Sequence, residues 1–86
     1  MRLRIGTSTH ADVHGAVSAA ARSALGGAKA PAVALVFTTY EYPAEAVALA
    51  AQHELGPIPW AGVVTPAILA DRRVVPRGVA VGVIDS

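Results

Sequence analysis

These 86 residues contain no cysteine, which removes disulfides and thiolate chemistry at once. Charge is scarce too: only 15% of the chain is Asp, Glu, Lys or Arg, and the net charge is +1. The seven lysines and arginines are scattered apart from Arg72-Arg73, so no basic field exists for nucleic acid. No apolar run approaches the roughly 18 residues that span a bilayer, so the sequence argues against a membrane partner. The N-terminus, Met1-Arg2-Leu3-Arg4-Ile5-Gly6, lacks the apolar core of a signal peptide, and a cytoplasmic location is the expectation. There is no glycine-rich phosphate loop. The three histidines share no short spacing and give no metal motif; His14 and His53, on helices, read as structural or solvated. No cofactor is implied.

What the chain does have is apolar residues. Of its 86 residues 53% are hydrophobic, and the mean hydropathy is +0.49. A chain this short makes one domain and buries a modest share of its surface. So apolar a composition does not suit a small soluble monomer, and with no membrane to explain it the expectation is a homo-oligomer.

The chain is organised around Pro31 to Tyr42. Pro-Ala-Val-Ala-Leu-Val-Phe is followed by the polar Thr38-Thr39-Tyr40-Glu41, which reads as a strand over residues 32–38, buried on both faces. A helix follows, with Pro43 at its first position, Glu45 favouring its positive end and Gly56-Pro57 stopping it. Ala46, Leu49, Ala50 and His53 would share one face of it. Before this unit come a strand over 2–7 and a helix over Val13–Leu25 with Asp12 as N-cap and Gly26-Gly27 as terminator. Val13, Ala16, Val17, Ala20, Ala24 and Leu25 recur at helical spacing in it, and Gly15 suggests a close approach. After the central unit come a strand over 58–64, a long connection over 65–76 with a short helical turn at 66–70, and a strand over 77–85.

The fold class is therefore α/β (α+β): one β-α-β-α-β-β domain with a mixed sheet. Right-handed crossovers put both helices on one face. The last strand is apolar on both faces, with Val79, Val81 and Val83 on one and Ala80 and Ile84 on the other. The open face predicts an interface.

Three short stretches carry a family resemblance. Tyr42-Pro43-Ala44-Glu45-Ala46-Val47 is similar to the Phe-Pro-Ala-Lys-Ala-Val segment of the small homotrimeric chorismate mutases of the AroH class. Ile58-Pro59-Trp60-Ala61-Gly62 resembles that family's Val-Pro-Val-Thr-Cys strand, and Ile5-Gly6-Thr7-Ser8-Thr9 its Arg-Gly-Ala-Thr-Thr. The resemblance implies a trimer with a barrel-like core of sheets, helices outside and a pocket between subunits. It also implies site positions. Arg77 matches the pocket's last-strand arginine. The essential carboxylate falls on Thr65, the first-strand arginine on Ile5 beside Arg4, the lysine on Glu45, the cysteine on Gly62 and the helix arginine on Ala48. The late tyrosine falls past residue 86. One surviving arginine is too few cations for the two carboxylates and ether oxygen of chorismate, so chorismate itself is not the expected substrate. Gly62 to Ile68 also resembles the Gly-Cys-Ser-Thr-Ala-Gly stretch of FIST sensory domains.

Hydroxyl clusters end three successive strands: Thr7-Ser8-Thr9-His10, Thr38-Thr39-Tyr40-Glu41 and Thr65. Parallel strands bring such ends to one edge, where α/β sheets bind ligands. With Tyr40, Tyr42, Ala44, Trp60 and Gly62 they would line a substrate cleft. Arg77, Glu45, Thr65 and His10 are the catalytic candidates, with His10 a possible general base and Gly78 leaving room for a ligand. Each has a plainer explanation: hydroxyls form turns, Trp60 packs in a core or an interface, Glu45 answers a helix dipole, and Arg77 sits at an oligomer rim.

The expected function is a small homotrimeric enzyme that rearranges, cyclises or otherwise isomerises a small organic substrate at its subunit interfaces. The alternatives are a non-catalytic ligand-binding or sensory module, and a purely structural oligomer. A sensor is expected to carry an output domain, and 86 residues hold none, which favours the enzyme or a stand-alone binder.

Overall fold

The computed structural model describes residues 2–70 and 73–85. Their elements are β1 (Arg2–Ser8), α1 (Val13–Leu25), β2 (Pro31–Thr39), α2 (Ala44–Leu55), β3 (Trp60–Thr65), β4 (Ile68–Ala70), β5 (Arg73–Val75) and β6 (Val79–Asp85). Four of the strands form a mixed sheet in the order β1-β6-β2-β3, and β4 pairs with β5 separately. β6 runs antiparallel to both of its neighbours, whereas β2 and β3 are parallel. The chain thus steps from β1 to β2 to β3 in one direction, and its last strand slots between the first two. None of the described helices is long and apolar enough to cross a membrane.

Alternation explains why β6 lies inside. Val79, Val81 and Val83 are at most 1% exposed and meet Ala34 and Val36 of β2 with the inner faces of both helices in one cluster. Burying each valine contributes about 1.5–3 kcal/mol. The two helices therefore cover one face of the sheet.

α1 lies close against β1 because both surfaces are small. Its buried stripe is Ala16, Val17, Ala20, Ala21 and Ala24, and it meets Gly6, where a Cβ would stand 2.1 Å from the Ala20 carbonyl oxygen. Asp12 caps the helix, accepting from Gly15 N–H at 2.8 Å. Gly15 also leaves room for the His10 ring, whose Nδ1 would stand 3.1 Å from an added Cβ.

Three expectations are corrected. β2 is buried on one face only: Leu35 and Phe37 remain 41% and 37% exposed on the face away from the helices. A continuous apolar run conceals which face lacks a cover. In α2 the buried residues are Val47, Ala50, Ala51 and Leu55, while Leu49 is 71% exposed. That helix is apolar nearly all round, so spacing alone did not single out its inner face. Pro43 is its N-cap, one position outside the helix.

The connection after β3 contains a short strand pair, not a helical turn. Ile68 faces Val75 and Ala70 faces Arg73. Ile68 is 6% exposed and lies against the helix-free face of the sheet, where it lines a cavity with Leu3, Ile5 and Phe37. Two three-residue strands are too short for alternation to register in sequence. Of the paired arginines, Arg73 begins β5 and Arg72 lies outside the described residues.

Candidate functional site

Sheet register gathers the chemistry at one edge. Ser8 and Thr38 both stand opposite Val79, and Thr39 stands opposite Thr65. The C-terminal ends of β1, β2 and β3 thus meet the start of β6, and the segment Arg77-Gly78 arrives among them.

Thr39 organises this edge. It is fully buried; its hydroxyl accepts from Gly78 N–H at 3.0 Å, and its own N–H donates to the Gly78 carbonyl at 3.1 Å. The hydroxyl proton has two acceptors in reach, the Gly78 carbonyl at 3.4 Å and the Glu41 carboxylate. That hydroxyl first, then Glu41's own backbone N–H and the charge of Arg77 hold the Glu41 carboxyl below the usual carboxylate range. Tyr42 is 2% exposed, and its hydroxyl donates to the His10 carbonyl at 2.6 Å. The Arg77 guanidinium carbon lies 5.9 Å from the Tyr42 ring centroid, a cation–π contact. Tyr42 therefore connects the loop after β1 to Arg77, and Glu41 supplies the nearby negative charge.

His10 serves the turn that starts α1. Its Nδ1 accepts from Asp12 N–H at 3.3 Å, and its own N–H donates to the Ser8 hydroxyl. Gly78 leaves no vacancy: a Cβ there would stand 2.7 Å from the Ser8 carbonyl oxygen and 3.0 Å from Val75. Thr7, with Ser8, Thr9, Val74, Val75 and Pro76, lines a cavity of about 460 Å³ beside this edge.

Thr65 ends β3 opposite Thr39 and so belongs to this edge; Trp60 does not. Trp60 opens β3 opposite Ala34, five residues before Thr65, roughly 16 Å down the strand. There it lines a groove of about 220 Å³ with Ala44, Gly62, Val36 and Thr38, between α2 and β3. Gly62 accommodates the indole, whose Cζ3 would stand 3.3 Å from an added Cβ. Tyr40 is 67% exposed, and Glu45 is exposed in the first turn of α2. The Thr65 hydroxyl donates to the Ala67 carbonyl at 3.0 Å and borders the cavity on the helix-free face.

That cavity, about 370 Å³, was not foreseen. Leu3, Ile5, Leu35 and Phe37 floor it, and Ile68 and Leu69 border it from β4. It reaches Ala80, only two residues beyond Gly78 at the polar edge. Its apolar positions were visible in sequence; the strand that crosses over them was not. Thr39 stood within a recognised hydroxyl cluster, but nothing local distinguishes it from Thr38 as the residue that holds Gly78.

No protein-family model matches the chain, and no curated protein does.

Proposed function

We propose that the edge around Arg77, with the adjoining apolar cavity, is a small-molecule site, and that the chain acts as a homotrimer of chorismate-mutase-like fold whose neighbouring copies complete that site. The reaction is a rearrangement, cyclisation or other isomerisation of a small organic substrate. The observation that carries this reading is the position of Arg77. Its guanidinium stands against Tyr42, next to a segment fixed by Thr39, and one strand residue, Val79, separates that segment from Ala80 in the wall of a cavity of about 370 Å³. Small-molecule pockets are typically about 300–1,000 Å³, mostly apolar, with a few convergent polar groups. An apolar ring in the cavity and a carboxylate or developing oxyanion on the guanidinium fit this pattern. The trimer is supported by the apolar residues left exposed on the helix-free face, Leu3, Ile5, Leu35, Phe37 and Val63.

A second reading, a non-catalytic binding or sensory module, is favoured by one observation. The Thr39 hydroxyl first, then Glu41's own backbone N–H and the Arg77 charge, hold the Glu41 carboxyl below the usual carboxylate range, which makes it a poorer proton acceptor.

Thermal-shift titration with benzoate, cyclohexanecarboxylate, chorismate and prephenate, with mass spectrometry for turnover, tests both. A ring monocarboxylate should stabilise the wild type, and chorismate should turn over at no more than a trace. Arg77→Ala should lose binding by about 2–4 kcal/mol while the assembly stays intact, and Arg77→Lys should recover little. Wild-type binding in Arg77→Ala, or its collapse to monomers, would sink the site. Binding without turnover decides for the second reading.

A further inference from the structure

α1 and α2 bring together two histidines that sequence spacing keeps 39 positions apart, His14 and His53. Their ring centroids are 5.8 Å apart, with the planes inclined at 43°. Glu54 joins them, and a ligand atom from each of the three lies within 4.8 Å of those of the other two. We propose that His14, His53 and Glu54 form a binding site for a divalent transition-metal ion of the Zn²⁺ type.

The donor set suits that ion: two imidazole nitrogens and one carboxylate oxygen, with a fourth position for water. Metal–ligand distances of about 2.0–2.2 Å put tetrahedral ligand atoms roughly 3.4 Å apart. Both imidazoles are exposed, so their side chains have room to rotate and close the present spacing towards that value.

The carboxylate is the prepared part. The Glu54 side chain is only 10% exposed. Its Oε1 is held from α1 by two groups: the Ser18 hydroxyl donates to it at 3.2 Å, and Arg22 Nε stands 3.5 Å away. Oε2 is the oxygen near His53, 3.9 Å from its Nε2. His14, Ser18 and Arg22 recur every fourth residue along one stripe of α1. One row of that helix therefore supplies both a ligand and the groups that orient another ligand, as in metal sites with supported carboxylates. Bound metal would cross-link α1 to α2, and the free energy of binding would add to the stability of the folded chain.

The reason sequence did not disclose this site is that its ligands come from two helices. Neither helix carries a paired-histidine motif of its own.

Isothermal titration of the full chain with ZnCl₂ should show one ion bound per chain. The unfolding midpoint should rise by roughly 5 °C or more at saturating Zn²⁺ and return on addition of EDTA. His14→Ala and His53→Ala, both at exposed positions, should keep the metal-free circular dichroism spectrum. Each should lose at least roughly tenfold in Zn²⁺ affinity, along with the thermal shift. Glu54→Gln should weaken binding similarly, and the two histidine variants decide the matter if it fails to fold. His10→Ala should bind as wild type. Absence of a bound ion, or undiminished binding in either His14→Ala or His53→Ala, overturns the site.

Discussion

Thr39 and Gly78 exchange two hydrogen bonds at the buried edge of the sheet: Gly78 N–H to the Thr39 hydroxyl at 3.0 Å, and Thr39 N–H to the Gly78 carbonyl at 3.1 Å. The pair ties the end of β2 to the residue that follows Arg77, so a buried hydroxyl sets where an exposed guanidinium begins. Thr39→Val keeps the shape and removes the acceptor, leaving the Gly78 N–H buried and unpaired. Urea unfolding should register a loss of about 1–3 kcal/mol. Thr39→Ser retains the hydroxyl and should recover most of it. No loss in Thr39→Val, with the loss appearing in Thr39→Ser instead, would mean that the methyl group, not the hydrogen bond, matters.

The contact between Gly6 and α1 leaves no space for a side chain. In Gly6→Ala the new carbon would stand 2.1 Å from the Ala20 carbonyl oxygen and 2.8 Å from Ala24 N, both backbone atoms that cannot rotate away. Overpacking of this kind costs about 1–3 kcal/mol where side chains can yield, and here the whole helix must move. The expected loss is at the top of that range or beyond, read from thermal or urea unfolding. Gly15→Ala meets only the His10 ring and the Asp12 carboxylate and should be much milder.

Acid should loosen the start of β2. Asp85 accepts from Ala30 N–H at 2.6 Å and from Lys29 N–H at 3.2 Å. These bonds, Ala30 first, and then the charges of Arg4 and Arg2 hold its carboxyl below the usual range. Its folded pKa is thus lower than its unfolded one. The stabilisation is fully present above about pH 4 and drains away as pH falls through the folded value. Hydrogen exchange at Lys29 and Ala30 should accelerate on acidification, and Asp85→Asn should flatten that dependence. An unchanged profile in Asp85→Asn would remove the carboxylate from the explanation.

The helix-free face should govern assembly. Light scattering should give about three times 8.7 kDa for the wild type. Phe37→Glu, which places a charge among Leu3, Ile5 and Leu35 on that face, should shift the mass towards the monomer while leaving the helical circular dichroism signal intact. A monomer already in the wild type would remove the trimer.

Apart from β4 and β5, the elements were legible because each rests on local chemistry. Asp12 before an alanine-rich stripe starts α1, Gly56 ends α2, and Val79, Val81 and Val83 repeat at the period of a strand whose one face is fully buried. The meeting of three hydroxyl-rich strand ends at one edge followed from alternating strands and helices, and Arg77 stood out with them. Contacts between distant segments were not legible. That Thr39 rather than Thr38 holds Gly78, that Ile68 covers the helix-free face and that His14 reaches His53 all depend on register, crossing angle and the path of a connection. Periodicity and caps act over a few neighbouring residues. The sites depend on side chains brought together from across the chain, and only the packed sheet and helices set those distances.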